Sequence, residues 1–109
     1  MEVVFYQTSR NGSPVIKFID GQQERDQAAI LAVLNDVAEN RFQAKGAQFR
    51  QLDGKLWEIK IKSPSGGYRF LYAMLSKDMM MILHAFKKKT QKTPLNELAI
   101  ARKRLAEVL

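Results

Sequence analysis

The chain has 109 residues, 46% hydrophobic and 27% charged, a composition that fits one globular domain able to bury a core without cross-links. It has no cysteine and one histidine, which excludes disulfides and thiolate chemistry and argues against a protein-held zinc ion. The net charge of +7 is one-sided: residues 1–53 carry six basic and seven acidic groups (−1), residues 54–109 twelve and four (+8), which points to a polyanionic partner, nucleic acid or an acidic protein segment.

In chain order, Val3 to Tyr6 reads as a short edge strand. After the Arg10-Asn11-Gly12 turn, Ser13-Pro14 is an N-cap followed by proline at the first helical position, opening a short helix to about Ile19. Asp20-Gly21 breaks it, and Asp20 with Gln23 resembles a capping box. A long helix is expected from about Gln22 to Gln43, with Ile30, Leu31, Leu34, Val37, Ala38 and Phe42 as its apolar stripe and Gly46 as its stop. Gln48 to Leu52 reads as a strand, and Asp53-Gly54 as a hairpin turn.

Three apolar runs joined by short turns follow. Trp57, Ile59 and Ile61 alternate with Glu58, Lys60 and Lys62, the period of a half-buried strand. The runs around Tyr68–Leu75 and Met79–Phe86 are apolar on both faces, as interior strands are when something covers each side. Thr93-Pro94 repeats the cap-plus-proline signal and opens a last helix to about Val108, with Leu98, Ala101, Leu105 and Val108 inward and a Lys103–Glu107 pair across one turn. The expected architecture is a single α+β domain over residues 1–109: an antiparallel meander packed on helices in two layers, with a C-terminal helix. The chain does not open on a basic segment followed by an apolar core, and no run reaches membrane-spanning length, so a cytoplasmic location without membrane contact is expected.

Arg69 follows the flexible Gly66-Gly67, and its planar fork of donors fits a phosphate; the alternative is an ion pair with Glu58 on the neighbouring strand. Lys60 and Lys62 either bind phosphates or form the solvated face of an edge strand. His84, the one group expected to titrate near neutral pH, is either an acid–base group or a core histidine with satisfied ring nitrogens. The run Lys87-Lys88-Lys89-Thr90-Gln91-Lys92-Thr93 joins four cations to the start of a helix and suits anions. Tyr68, Phe70 and Tyr72 either stack on bases or pack in the core.

Taken together, the order of elements, the Leu56-Trp57-Glu58-Ile59-Lys60 strand, the Gly67-Tyr68-Arg69-Phe70-Leu71-Tyr72 strand and the Leu83-to-Pro94 segment resemble the RelE/ParE toxin superfamily, with greatest likeness to its phage-derived HigB-like branch. The resemblance covers nearly the whole chain. It implies a toxin of a type II toxin–antitoxin system, with a cognate antitoxin, expected to be a helix-turn-helix protein, as partner. It further implies a metal-independent, ribosome-dependent mRNA endoribonuclease that needs no cofactor, meets ribosome-bound mRNA and rRNA, and drives the ribose 2′-hydroxyl onto the adjacent phosphate. A ParE-like gyrase inhibitor and a small non-catalytic RNA-binding or regulatory domain are the alternatives. By the resemblance, Arg69 matches a phosphate-binding arginine, Lys60 a lysine of the preceding strand, and Lys88 a basic position after the last strand. The candidate catalytic set is therefore Arg69, His84, Lys60 and Lys88, and the candidate RNA-binding set Lys62, Lys87, Lys89, Lys92 and Tyr68. Two departures stand out: Glu58 replaces a lysine of RelE, and residues 94–109 contain no tyrosine. Proton transfer is left to His84 or to a lysine with a lowered pKa.

Overall fold

The computed structural model describes residues 1–109. It is an α+β fold: strand β1 (Glu2–Phe5), helices α1 (Pro14–Asp20) and α2 (Glu24–Asn40), strands β2 (Ala47–Asp53), β3 (Leu56–Ser63), β4 (Gly66–Ser76) and β5 (Met79–Lys87), and helix α3 (Leu95–Val108). No helix is long and apolar enough to cross a membrane.

Local chemistry accounts for most of the boundaries. The Ser13 hydroxyl accepts from the Ile16 amide at 3.3 Å, and Pro14 supplies the preset φ of the first helical residue. The Asp20–Gln23 capping box does not form; Gln23 caps α2 without a side-chain bond, and the helix gains instead from Glu24 and Asp26 in its first turn. α2 ends at Asn40, earlier than expected, and Arg41–Gln43 tighten into a 3-10 turn. Arg41 takes φ 57° there and pairs with Asp78 at 2.6 Å. Gly54 takes φ +55°, which the β2–β3 turn requires and side chains resist.

The sheet order is β1-β5-β4-β3-β2. The last four strands form the antiparallel meander, but β1 runs parallel to β5, so the sheet is mixed. The long path through α1 and α2 carries the chain back to the far edge, where β1 and β5 point the same way. One face carries Ile59, Ile61, Tyr68, Phe70, Tyr72, Met80 and Ile82 against Val15, Ile19, Ile30, Leu34 and Val37 of α1 and α2. Each such aliphatic side chain contributes roughly 1.5–3 kcal/mol when fully buried.

The opposite face is covered only in part, and this goes beyond the two expected layers. α3 lies there, packing Ala101, Leu98 and Leu105 on Leu56, Leu71, Ala73, Leu83 and Phe86. The doubly apolar β4 and β5 have apolar faces on both sides, and the second must be buried too. A bulge at Leu83, where Leu71 pairs with His84 and Tyr72 with Ile82, turns both Leu83 and His84 toward α3. Beyond α3, the part of this face formed by β2 and β3 stays open. It carries Gln48, Arg50, Lys60 and Lys62.

Candidate nucleic-acid interface

The register of the meander brings the basic residues together. Lys60 lies opposite Gln48 on one side and Arg69 on the other, and Lys62 lies opposite Gly67. The chain leaving β5 folds back on the same place: the Lys88 amide donates to the Gly67 carbonyl at 2.8 Å. The result is a cleft of about 560 Å³ at the rim of the sheet, bounded by Lys45, Lys60, Lys62 and Lys88, with Val33, Ala47 and Ile61 as apolar wall and no carboxylate in its lining. The Lys60 ammonium is held below the usual lysine pKa, first by partial burial and then by Arg50, with Arg69 and Lys88 adding to the effect against Glu58.

Arg69 is beside this cleft but not in it. The side chain is 0% exposed. Its Nη2 donates to the carbonyls of Thr90 (2.7 Å) and Gln91 (2.5 Å), its Nη1 to Thr93 Oγ1 (3.3 Å), and its Nε faces Glu58 Oε1 at 3.5 Å. Glu58 is equally buried; Arg50 reaches its Oε2 at 3.1 Å, and Thr93 donates to its Oε1 at 2.8 Å. Glu58 Oε2 and Arg69 Nε make no hydrogen bond and each faces only an opposite charge. The expected phosphate contact is thus replaced by the alternative ion pair, because a lone guanidinium inside an apolar strand needs its partners within the protein. Thr93 is likewise not a helix cap: Pro94 holds that position, and the hydroxyl is committed to Glu58.

His84 also lies apart from the lysines. Its Nε2 is 3.0 Å from Glu97 Oε1, and its Nδ1 is 3.3 Å from Arg104 Nη1, which donates to the Leu83 carbonyl at 2.8 Å. Both ring nitrogens are engaged in docking α3, so the acid–base expectation gives way to the core-histidine one. Glu107 is the acceptor for the Tyr6 hydroxyl rather than the partner of Lys103.

Tyr68 is 1% exposed and faces α1 and α2, so it does not stack on bases. Its hydroxyl donates to Asp26 Oδ2 at 2.7 Å. Asp26 is buried in α2 and also accepts from the Ser65 hydroxyl and the Ser65 amide (3.3 Å), which clamps the β3–β4 turn to the helix. The Ser65 hydrogen bond, followed by that of Tyr68, lowers the Asp26 pKa to about 2. Burial and then the Asp26 hydrogen bond push the Tyr68 hydroxyl up.

The Lys87–Lys92 run is split by the strand's alternation. Lys87 turns to the helix side, donating to Ser65 Oγ at 3.0 Å with its Nζ 5.7 Å from the Tyr68 ring centre. Lys88 joins the cleft. Lys89 and Lys92 border a second hollow of about 420 Å³ together with Lys87, Thr90 and Phe86. Of the candidate residues, the structure gathers Lys60, Lys62 and Lys88, with the buried Tyr68 at the cleft's floor, and leaves Arg69 and His84 outside.

Sequence reasoning missed Asp26, Arg50, Gln48 and Lys45. Asp26 had a signal, since it continues the buried stripe of Ile30, Leu34 and Val37 by one turn. Arg50 had none: pairing outward from the Asp53-Gly54 turn would set it opposite Ile59, and only the register shift between Gln51 and Asp53 brings it opposite Glu58.

The fold and this cleft define a small mixed-sheet α+β domain with a carboxylate-free cationic cleft at one end of its sheet. Residues 17–106 match the family described as phage derived protein Gp49-like (DUF891), and the chain belongs to it. That family is a RelE/HigB-type family of toxin–antitoxin toxins, so membership supports a toxin role and implies a cognate antitoxin. The curated proteins contain no match to the chain.

Proposed function

We propose that this toxin is a metal-independent, ribosome-dependent mRNA endoribonuclease of the HigB-like kind, acting in the cytoplasm. The supporting observation is the cleft in which Lys60, Lys62 and Lys88 converge without a carboxylate. The phosphodiester backbone is the partner whose charge and spacing such a face suits. In this reading the ribose 2′-oxygen forms a bond to the adjacent phosphorus as the bond to the 5′-oxygen breaks. The products are a cyclic phosphate and a 5′-hydroxyl. Lys60, whose ammonium is already disfavoured, takes the 2′-hydroxyl proton in its neutral form. Lys88 returns a proton to the leaving 5′-oxygen, and Lys62 faces the charge that develops on the phosphoryl oxygens. Arg69 is a positioning residue: it ties Thr90 and Gln91 down and so fixes the loop that follows Lys88. Lys87, Lys89 and Lys92 contact mRNA or rRNA backbone farther out.

The test is cell-free translation with mapping of mRNA 5′ ends, with and without ribosomes. Cuts that need ribosomes and vanish with Lys60→Met support the proposal. Translation arrest with intact mRNA would overturn it.

A second reading has its own support. Arg69 and His84, the groups best suited to chemistry, are both held by partners within the chain. That favours a non-catalytic, ParE-like toxin that binds gyrase. Gyrase-dependent DNA cleavage complexes, in the absence of mRNA cuts, would select it.

A further inference from the structure

Arg69 is held within the fold, yet the charges around it do not balance. Glu58 is the carboxylate that faces both guanidiniums, Arg50 at 3.1 Å and Arg69 at 3.5 Å. The surplus positive charge lies where solvent reaches it: the Arg69 and Glu58 side chains are 0% exposed, that of Arg50 44%. Arg50 is also sparsely bonded. Its donors make one long hydrogen bond, to Thr93 Oγ1 at 3.4 Å, and its approach to Glu58 Oε2 is an ion pair without a hydrogen bond. Other arginines are taken or stand off the sheet. Arg41 pairs with Asp78, Arg102 with Asp53, and Arg104 donates to the Leu83 carbonyl; Arg10 precedes α1 and Arg25 lies on α2. A backbone irregularity aims Arg50. With Asp53 opposite Leu56, regular pairing would set Arg50 opposite Ile59, on the side of α1 and α2; the register shift between Gln51 and Asp53 brings it opposite Glu58 instead. Bulges re-aim side chains in this way beside functional sites. Arg50 thus shares the open face with Lys60. Since Gln48 is the residue opposite Lys60, Arg50 and Lys60 are diagonal neighbours, roughly 7–8 Å apart at the backbone, and two long side chains can meet on one phosphate between them.

We propose that Arg50 is a catalytic residue of this chain, its guanidinium meeting the non-bridging oxygens of the scissile phosphate beside Lys60, a role for which Arg69 is too deeply buried. The inference deepens the endoribonuclease reading and rests on it for the reaction. As the 2′-oxygen bonds to phosphorus and the 5′-oxygen leaves, charge rises on those oxygens, and a planar fork of donors meets two of them at once. Arg50 acts on the base as well. After burial, it is the largest influence holding the Lys60 ammonium below the usual lysine pKa, so it favours the neutral amine. When Arg50 turns to a phosphate, Glu58 keeps Arg69 and the Thr93 hydroxyl, and its buried charge is not left alone.

The test measures single-turnover cleavage of a ribosome-bound mRNA by the full chain and its Arg50→Lys and Arg50→Gln variants. Arg50→Lys keeps a positive charge beside Glu58, and with it the fold, but loses the planar fork; its rate should fall about tenfold or more. Arg50→Gln should lose about a hundredfold or more. Its rise in rate with pH should also move to higher pH, because Lys60 no longer faces that cation. Sulfur in place of a non-bridging oxygen at the cut phosphate should slow the native chain and slow Arg50→Gln little further. A native rate in folded Arg50→Lys, or an equal sulfur penalty in the native and Arg50→Gln chains, would overturn the proposal. A second arm needs no cleavage. The arginine Nε–H resonances of the free chain are followed by NMR during titration with a 2′-deoxy trinucleotide, which cannot be cut. The Arg50 resonance should shift and that of Arg69 should not; the reverse, or an equal Arg50 shift with a glutamate peptide of matched charge, would overturn the proposal. An Arg50 that answers the trinucleotide in a chain that cuts no mRNA would keep the phosphate contact and overturn the nuclease reading. Ribosome-dependent cuts at the native rate in both variants would keep that reading and overturn the role of Arg50.

Discussion

Arg69 shows how burial decides what a side chain does. On an exposed strand end its guanidinium would be a phosphate ligand; at 0% exposure, facing Glu58 and two carbonyls, it is a staple. Arg69→Ala therefore leaves Glu58 buried with its charge uncompensated on that side. We expect a loss of about 3–5 kcal/mol in thermal or urea unfolding. The paired change Glu58→Leu with Arg69→Met should recover much of that loss, because it removes both charges together. Recovery of stability without recovery of RNA cleavage is the expected signature of a positioning residue, since the loop of Thr90 and Gln91 loses its anchor in both variants. Lys60 is the contrasting case. It is only partly buried and makes no ion pair, so Lys60→Met should leave the melting temperature nearly unchanged. Cleavage should fall a hundredfold or more, the usual scale for removing a general base. A folded Lys60→Met protein with near-normal cleavage would remove it from the catalytic set.

At the scale of elements, two polar clamps hold helices to the sheet. In the first, Asp26 of α2 grips the β3–β4 turn through Ser65 and Tyr68. Its folded pKa of about 2 lies below the unfolded value of 3.8, so the clamp's contribution is fully present above pH 4 and is lost as the pH falls toward 2. We expect the melting temperature of the native protein to drop more steeply over that interval than that of Asp26→Asn, as followed by circular dichroism. Equal slopes would mean that the carboxylate is not held as described. In the second, His84 docks α3 between Glu97 and Arg104. His84→Gln should cost about 1–2 kcal/mol of stability and retain cleavage at low temperature, the outcome for a partly buried hydrogen-bonding group rather than for an acid or base. These two clamps also mark the limit of what the sequence makes legible. Strand alternation and the Asp53-Gly54 turn are local, so β2 to β5 can be read directly. The bulge at Leu83 is set by packing on α3, which no local pattern encodes. Burial of Arg69, on β4, depends on the path of residues 90–93, beyond the whole of β5.

For the whole molecule, the split between a −1 half and a +8 half becomes a spatial fact. Of the twelve cations in the second half, Lys60 and Lys62 lie on β3 and Lys88, Lys89 and Lys92 follow β5, and the meander sets these two segments beside each other at one end of the sheet. Charge asymmetry was therefore readable in the sequence. The division of the Lys87–Lys92 run between the two sides was not, because it depends on where β5 ends. Binding of single-stranded RNA should weaken linearly on a log–log plot against salt. Neutralising Lys60, Lys62 and Lys88 together should flatten that slope by about 2, at roughly 0.7 per phosphate contact. An unchanged slope in the folded triple variant would place the backbone contacts elsewhere, at Lys89 and Lys92.

The parallel pairing of β1 with β5 has a consequence for biosynthesis. The strand at the N-terminal side, Glu2–Phe5, pairs with Met79–Ile82 of β5, the last strand of the sheet in chain order. Contacts this distant in sequence form last, since most of the chain must exist before they can close. While β5 remains inside the exit tunnel, the lysine of its trailing segment cannot reach Gly67. We therefore expect a nascent chain whose β5 is still inside the tunnel to lack the closed cleft, which leaves the antitoxin an interval in which to capture it. A stalled nascent chain ending before Met79 should be readily digested by protease, and one bearing all 109 residues on a long spacer should resist.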